Sequence, residues 1–183
     1  MHNRIVPPPL QVSRWFNTAT PITLDALRGK VVAIHTFQML CPGCVAHGLP
    51  QAKRLRETFP ADQLAVIGLH TVFEHHAVMG ADALAAFIHE YRLGFPIGID
   101  QAAPNGPIPC TMAAWNLRGT PSLVLLDRDG RLCLSHFGQI DDLVLGALIG
   151  QLFERPSQPE PLAGPNANKS GECDDGSCST PLR

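Results

Sequence analysis

The sequence predicts an α/β fold with a mixed, partly parallel central sheet. Two apolar, β-branched runs, at 30–37 and 64–71, are typical of buried strands, and apolar residues recur at helical spacing after each run. An Asp-Gly turn at 129–130 lies between two further strand-like runs and predicts an antiparallel hairpin. Strands that alternate with helices and then close on a hairpin are typical of α/β domains.

The individual elements follow from local patterns along the chain. The expected order is a strand at 30–37, a helix after 44, a strand at 64–71, a helix at 82–93, a short strand at 95–100, a loop at 101–109, hairpin strands at 122–126 and 131–136, and a last helix at 141–153. In the helix at 82–93, Leu84, Phe87, Ile88 and Tyr91 share one face. Pro50 is expected to kink the first helix, because proline has no N–H to donate.

Composition excludes several classes of protein. The 183 residues are 45% hydrophobic, which is enough for a core and excludes wholesale disorder. The 14 Lys and Arg against 16 Asp and Glu give a net charge of −2, so no basic excess exists to bind nucleic acid. No apolar stretch approaches 18 residues, and we therefore expect no membrane span.

The two ends of the chain suggest the domain limits and the compartment. Residues 156–183 contain five prolines and no aromatic residue, so we expect a folded domain at 1–155 and a flexible, Cys-containing tail at 156–183. Residues 1–11 lack a signal-peptide pattern. The expected location is cytoplasmic, or periplasmic if a leader has been removed.

The motif Cys41-Pro42-Gly43-Cys44 follows a strand and opens a helix. At this point the helix N–H groups are unpaired and the macrodipole is positive, which favours a thiolate at Cys41. Cys44 lies one turn further on, close enough for a disulfide, and Pro42 suits the first turn. The motif predicts a dithiol–disulfide exchanger that needs no cofactor beyond the redox-active disulfide Cys41–Cys44. A zinc site would need two more ligands.

Several segments together resemble the TlpA-like thiol–disulfide oxidoreductases of the thioredoxin superfamily, a redoxin or AhpC/TSA-like group. These segments are 15–31, 41–44, 115–122, 127–131 and 136–138, and the resemblance covers about residues 15–153. It implies a thioredoxin-like fold with an inserted strand–helix unit. It also implies a protein or small-molecule disulfide or thiol as partner, with an upstream reductant of unspecified type.

The same resemblance assigns the substrate site. Thr120-Pro121 corresponds to the family's Thr–cis-Pro pair, so the bond is expected to be cis and to lie against Cys41, with the Thr120 backbone pairing with a substrate strand. Pro42 and Gly43 complete this expected substrate site.

Three positions depart from the TlpA-like pattern and suggest an alternative. Leu40 replaces the usual Trp, His47 replaces an acidic residue, and one extra residue separates Cys44 from Pro50. The segment 41–50 also looks like the peroxidatic region of some peroxiredoxins. In that alignment Cys44 is the peroxidatic cysteine and Cys41 replaces a Thr, which makes a thiol peroxidase the alternative function.

His35 lies six residues before Cys41, where thioredoxins carry a buried Asp. We hypothesise that His35 exchanges a proton with Cys44 when the mixed disulfide is resolved. The alternative is a hydrogen-bonded core histidine on an apolar strand.

Other histidines have weaker signals. His47 could tune a thiol, or ligate a metal with Cys41 and Cys44 in a metallochaperone-like module, but a lone His at that position is more often solvated. The remaining candidates, assigned to a loop without a metal role, are His70, His75 and His76.

The other cysteines are candidate accessory redox residues. Cys110 leads towards Pro121 and is either a third redox group or a packed thiol, whereas Cys133 is expected to be a bystander. Cys173 and Cys178 lie in the tail, where they form a redox relay, a metal-binding clip or a pair without function.

Overall fold

The computed structural model describes residues 5–154, so the tail and its Cys173 and Cys178 lie outside the described residues. The elements, in chain order, are β1 (Val12–Phe16), a 3-10 turn (Asp25–Leu27), β2 (Val31–Phe37), a π-helical turn (Cys44–Gly48), α1 (Leu49–Thr58), β3 (Leu64–His70), a 3-10 turn (His76–Val78), α2 (Ala81–Glu90), β4 (Ile97–Asp100), α3 (Cys110–Ala114), β5 (Ser122–Leu126), β6 (Leu132–Phe137) and α4 (Asp142–Phe153).

Six strands form one mixed sheet in the order β1-β4-β3-β2-β5-β6. The central strands β2, β3 and β4 are parallel, and β5, β6 and β1 run antiparallel to their neighbours. This sheet confirms the predicted α/β class. Helix α2 and strand β4 form the strand–helix unit that lies between β3 and the β5–β6 hairpin.

Strand β2 is buried along its whole length and separates two apolar cores. Successive side chains of a strand point to opposite faces. On one face, Val31, Ala33 and Phe37 pack with apolar side chains of α1, α2 and α4, and with Cys44. On the other face, Val32 and Ile34 pack under the N-terminal segment and the chain around 115–117.

The edge strand β1 was not predicted from the sequence. It pairs antiparallel with β4, from Val12 opposite Asp100 to Phe16 opposite Ile97. Gly98 allows this close approach, since a Cβ there would lie 2.9 Å from Val12 Cγ1. Three of its five residues are apolar, but they do not alternate with the polar ones, so the local pattern carries a weak strand signal.

Helix α2 is shorter than the predicted 82–93 and ends at Glu90. Arg92 adopts a left-handed conformation with φ 50°, and the N–H of Leu93 donates to the Ile88 carbonyl at 3.0 Å. This arrangement is a Schellman-type end. Tyr91, expected on the buried face, is 45% exposed and stacks on Phe87. The next strand also begins later than expected, at Ile97.

Helix α3 was missed because it is only five residues long and depends on a distant carboxylate. Asp100, at the end of β4, accepts hydrogen bonds from the N–H groups of Thr111 at 2.8 Å and Met112 at 3.0 Å, and from Thr71 Oγ1 at 3.0 Å. Burial raises the pKa of this carboxyl, while the three donors oppose the rise. Asp100 therefore joins β3, β4 and the first turn of α3.

A π-helical turn replaces the kink expected at Pro50. The turn spans Cys44–Gly48, and Pro50 then lies in the first turn of α1, where the missing N–H costs nothing. A π-turn accommodates one extra residue within a helix. The π-turn thus accommodates the extra residue between Cys44 and Pro50. Among residues 5–154, no helix is long and apolar enough to cross a bilayer.

Candidate active site

Cys41 lies where β2 leads into the π-turn, and it is partly buried. Its Sγ is 3.5 Å from the carbonyl oxygen of Thr120 and accepts the backbone N–H of Cys44 at 3.2 Å. The N–H contact stabilises negative charge on the Cys41 sulfur. Cys41 and Cys44 are both free thiols in this structure.

Cys44 has a different environment, since its side chain is completely buried in the core beneath α1. Burial raises the pKa of its thiol to about 12, and the hydrogen bond with Cys41 and the Cys41 charge act in the same direction. Hydrogen bonds with the Gln38 backbone and with Thr120 partly oppose this rise. The two thiols are therefore chemically unequal, and only Cys41 is accessible.

The Thr120–Pro121 peptide bond is cis, and Pro121 lies against the start of the helix. A Cβ on Gly43 would lie 3.3 Å from Pro121 Cδ, and a Cβ on Gly48 would lie 3.1 Å from Pro121 Cβ. Both glycines therefore allow a close approach. Gly43 was expected in the site from the sequence and Gly48 was not, although the extra residue before Pro50 was a signal that the helix face is rotated there.

The backbone of Thr120 has an unused donor. Its N–H has no hydrogen-bond partner within residues 5–154, although its carbonyl oxygen contacts Cys41. Thr120 is only partly buried, so this N–H can pair with an incoming strand.

His35 is buried in the middle of β2, with 3% of its surface exposed. It lies on the same strand face as Ala33 and Phe37, which pack with Cys44 in one core. Its Nε2 has no partner within the described residues, and burial lowers the pKa of His35 to about 4. The imidazole is therefore neutral, and its Nε2 is buried without a partner among the described residues.

His70 lies in a strand, as the strand predicted at 64–71 implies, and its separate assignment to a loop was wrong. It is the last residue of β3 and completely buried, because the strand extends through it and pairs His70 with Phe37. The two rings lie 5.2 Å apart, and neither ring nitrogen of His70 has a partner in the described part of the chain. Burial lowers the pKa of His70 to about 4.

The remaining candidates are more exposed. His47, on the π-turn, and His75 and His76, after β3, are all exposed. Cys110 is the first residue of α3, with Sγ 3.7 Å from the Ala102 carbonyl oxygen, and Cys133 is half-buried in β6. Within residues 5–154, no three His, Cys, Asp or Glu side chains are grouped so that they could hold a metal ion.

No protein-family model and no curated protein matches the chain, but solved structures do. A crystal structure of a thioredoxin-like superfamily protein is 54% identical, covers 82% of this chain and 97% of its own, and has a TM-score of 0.81. The chain belongs to the thioredoxin-like superfamily. A thiol-disulfide isomerase from Corynebacterium glutamicum is 46% identical over 85% of this chain and 100% of its own, with a TM-score of 0.81.

These relatives identify this member of the superfamily as a TlpA-like thiol–disulfide oxidoreductase. A secreted Mycobacterium tuberculosis disulfide oxidoreductase, 16% identical over 80% of this chain and 96% of its own with a TM-score of 0.56, shares the fold. The alternatives, a thiol peroxidase and a metallochaperone, have no support from the relatives or from the geometry of the described residues.

Proposed function

We propose that this thiol–disulfide oxidoreductase acts through Cys41 and Cys44, with Cys41 as the attacking thiol. The supporting observation is the inequality of the two sulfurs. Cys41 is accessible and accepts the Cys44 N–H at 3.2 Å, whereas Cys44 is buried and burial raises its thiol pKa to about 12. Of the two sulfurs, Cys41 is therefore the one that a substrate can reach.

The exchange proceeds in two steps. The Cys41 thiolate attacks one sulfur of a substrate disulfide, the substrate S–S bond breaks, and the departing sulfur takes up a proton. Cys44 then loses its proton and attacks Cys41 Sγ, which forms the Cys41–Cys44 disulfide and releases the second substrate thiol. Two electrons pass from the dithiol to the substrate, and the reverse sequence oxidises a dithiol partner.

We assign the proton of Cys44 to His35. In the dithiol state the pKa of Cys44, about 12, lies far above the His35 pKa of about 4, so no transfer occurs. In the mixed disulfide the Cys41 sulfur carries no charge. The two Cys41 contributions to the raised Cys44 pKa then disappear, so Cys44 becomes a stronger acid, and the unsatisfied Nε2 of His35 is the acceptor that we assign to its proton.

The substrate segment is proposed to pair with Thr120 as an added strand. The free N–H of Thr120 supplies the donor, and Pro121, Pro42 and Gly43 form the walls around Cys41. Leu40, next to Cys41, is 58% exposed and adds apolar surface for a peptide. The partner is a protein or small-molecule disulfide or thiol, with an upstream reductant of unspecified type.

Several sequence-based expectations remain predictions. These are the module limits at 1–155, the tail at 156–183 with Cys173 and Cys178 as a relay, an accessory redox role for Cys110, and the cytoplasmic location. Replacing both tail cysteines with serine and comparing turnover tests the relay, and cell fractionation tests the location.

The deciding experiment compares oxidants on the fully reduced protein. Rates with a peptide disulfide and with hydrogen peroxide are followed by acid quenching and thiol alkylation. We expect the disulfide to react far faster, Cys41→Ser to be inactive, Cys44→Ser to accumulate the mixed disulfide, and Cys133→Ser to match the parent. A faster reaction with peroxide that Cys44→Ser abolishes would instead establish a peroxidase with the roles reversed.

A second measurement tests His35. The pH profile of mixed-disulfide resolution should change in His35→Ala, because a group that accepts the Cys44 proton is lost. An unchanged profile would overturn the role of His35.

A further inference from the structure

A cavity of about 320 Å³ opens beside the Thr120–Pro121 segment, and the function proposed above does not use it. Its lining residues are Asn116, Leu117, Arg118, Ser122, Ser135 and Phe137. Ser122 pairs with Phe137 across the hairpin, and Ser135 lies two residues before Phe137 on β6, so these three side chains share one sheet face.

The cavity is lined by hydrogen-bond donors and by no acidic residue. Arg118 is its only charged residue, and the guanidinium carbon lies 5.4 Å from the centre of the Phe137 ring. No carboxylate within residues 5–154 forms an ion pair with Arg118, and in the same range neither the Asn116 amide nor the Ser135 hydroxyl has a hydrogen-bond partner. A guanidinium, an amide and a hydroxyl around one cavity are suited to bind a carboxylate.

The cavity is continuous with the backbone that holds Cys41. Arg118 is two residues from Thr120, which is at most about 7 Å of extended chain, and the Thr120 carbonyl oxygen is 3.5 Å from Cys41 Sγ. Gly119, between them, lies directly under Phe137, since a Cβ there would be 2.9 Å from Phe137 Cε2. In a substrate strand paired with Thr120, the residues on either side of the paired residue would therefore lie next to the cavity.

We propose that the cavity binds the carboxylate of an acidic side chain near the substrate cysteine, so that the enzyme prefers peptide disulfides with Asp or Glu one or two residues from the cysteine. This inference rests on the proposed function, because the peptide must pair at Thr120. The Arg118 guanidinium, whose central carbon lies 5.4 Å from the centre of the Phe137 ring, donates to the carboxylate, and Asn116 and Ser135 supply further donors.

The test uses three peptide disulfides that differ only two residues from the cysteine, where they carry Glu, Gln or Lys. An exposed ion pair contributes about 0.2–1 kcal/mol, so we expect the Glu peptide to react about 1.4- to fivefold faster than the Gln peptide and the Lys peptide to be slowest. The preference should disappear in Arg118→Gln and fade at high salt.

Arg14→Gln is the matched control, because Arg14 also lies over a phenylalanine, Phe16, at 4.8 Å but on the opposite edge of the sheet. We expect this variant to keep the Glu preference. If all three peptides react equally with the parent while Cys41→Ser is inactive, the inference is overturned and the proposed function stands. If none reacts, both fail.

A binding measurement without chemistry gives an independent readout. A Glu peptide with Ser in place of its cysteine should shift the NMR signals of the Asn116 side-chain amide in the parent, and the Gln peptide should not. Equal shifts with both peptides would overturn the proposal.

Discussion

Replacing Gly48 with alanine tests whether close packing between the π-turn and Pro121 positions the active site. Gly48 has φ −62° and ψ −51°, an ordinary helical conformation that alanine also adopts. Glycine is therefore required for space and not for backbone freedom. The added Cβ would lie 3.1 Å from Pro121 Cβ, well inside the roughly 3.5–4.0 Å optimum for two carbons.

The energetic consequence can be worked from this contact. Pro121 Cβ is part of a ring and has no rotamer to escape into, so the ring or the helix has to move by several tenths of an ångström. Overpacking of this kind costs about 1–3 kcal/mol. Alanine regains about 1 kcal/mol over glycine in a helix, so the net loss in unfolding free energy is about 0–2 kcal/mol.

Gly146→Ala in α4 is the matched control, since nothing lies within 4 Å of a Cβ there. This variant should gain about 0.5–1 kcal/mol, so the two variants should differ by about 1–3 kcal/mol in urea unfolding. Movement of Pro121 also displaces Thr120 relative to Cys41. We expect disulfide exchange in Gly48→Ala to slow by about three- to tenfold, because misplacement by 1 Å costs about a hundredfold.

The reasoning is refuted if Gly48→Ala is as stable as Gly146→Ala and exchanges disulfides at the parent rate. A stability loss with an unchanged rate would show that the contact is structural only.

Three further predictions concern thiol reactivity, acid stability and the cap of α3. At pH 8 iodoacetamide should modify Cys41 at least about a hundredfold faster than Cys44, because Cys44 is buried and its thiol pKa is about 12, and peptide mapping would reveal any reversal. Burial lowers the pKa of His70 from 6.5 to about 4, so its contribution to stability is present above about pH 6.5 and lost as the pH falls towards 4. Between pH 7 and pH 5 this loss in the free energy of unfolding is about 2 kcal/mol. In urea unfolding, His70→Leu should abolish the loss, whereas His89→Gln, at an exposed position, should leave it unchanged. Asp100→Ala leaves three buried donors without an acceptor and should cost about 3 kcal/mol or more; a loss below about 1 kcal/mol in urea unfolding would contradict the capping role.

The central strands and the hairpin were predictable because their signals are local. Strands β2 and β3 are continuous apolar runs, and an Asp-Gly turn marks the β5–β6 hairpin. Strand β1 and helix α3 were not predictable, because each is stabilised from far along the chain, by pairing with β4 and by the carboxylate of Asp100.

The candidate site likewise contains features that follow from local sequence and features that depend on distant parts of the chain. The proximity of Cys41 and Cys44 follows from their spacing on one helical turn, whereas the position of Thr120 next to Cys41 was expected only from a family resemblance. Burial of His70 was missed because a histidine at a strand end carries no local signal of its exposure. Gly48 was missed because its requirement appears only when the helix meets Pro121.

The pairing of β1 with β4 has a consequence for how the chain folds during synthesis. Phe16 lies opposite Ile97, so the partner of β1 is made about 80 residues later. At about 5–20 residues per second, β1 waits on the order of 4–16 s with Trp15 and Phe16 uncovered. Until β4 has been synthesised, β1 has no neighbouring strand to pair with. The earliest part of the chain thus depends for its structure on an insertion translated much later, and folding of this edge cannot proceed from the N-terminus onward.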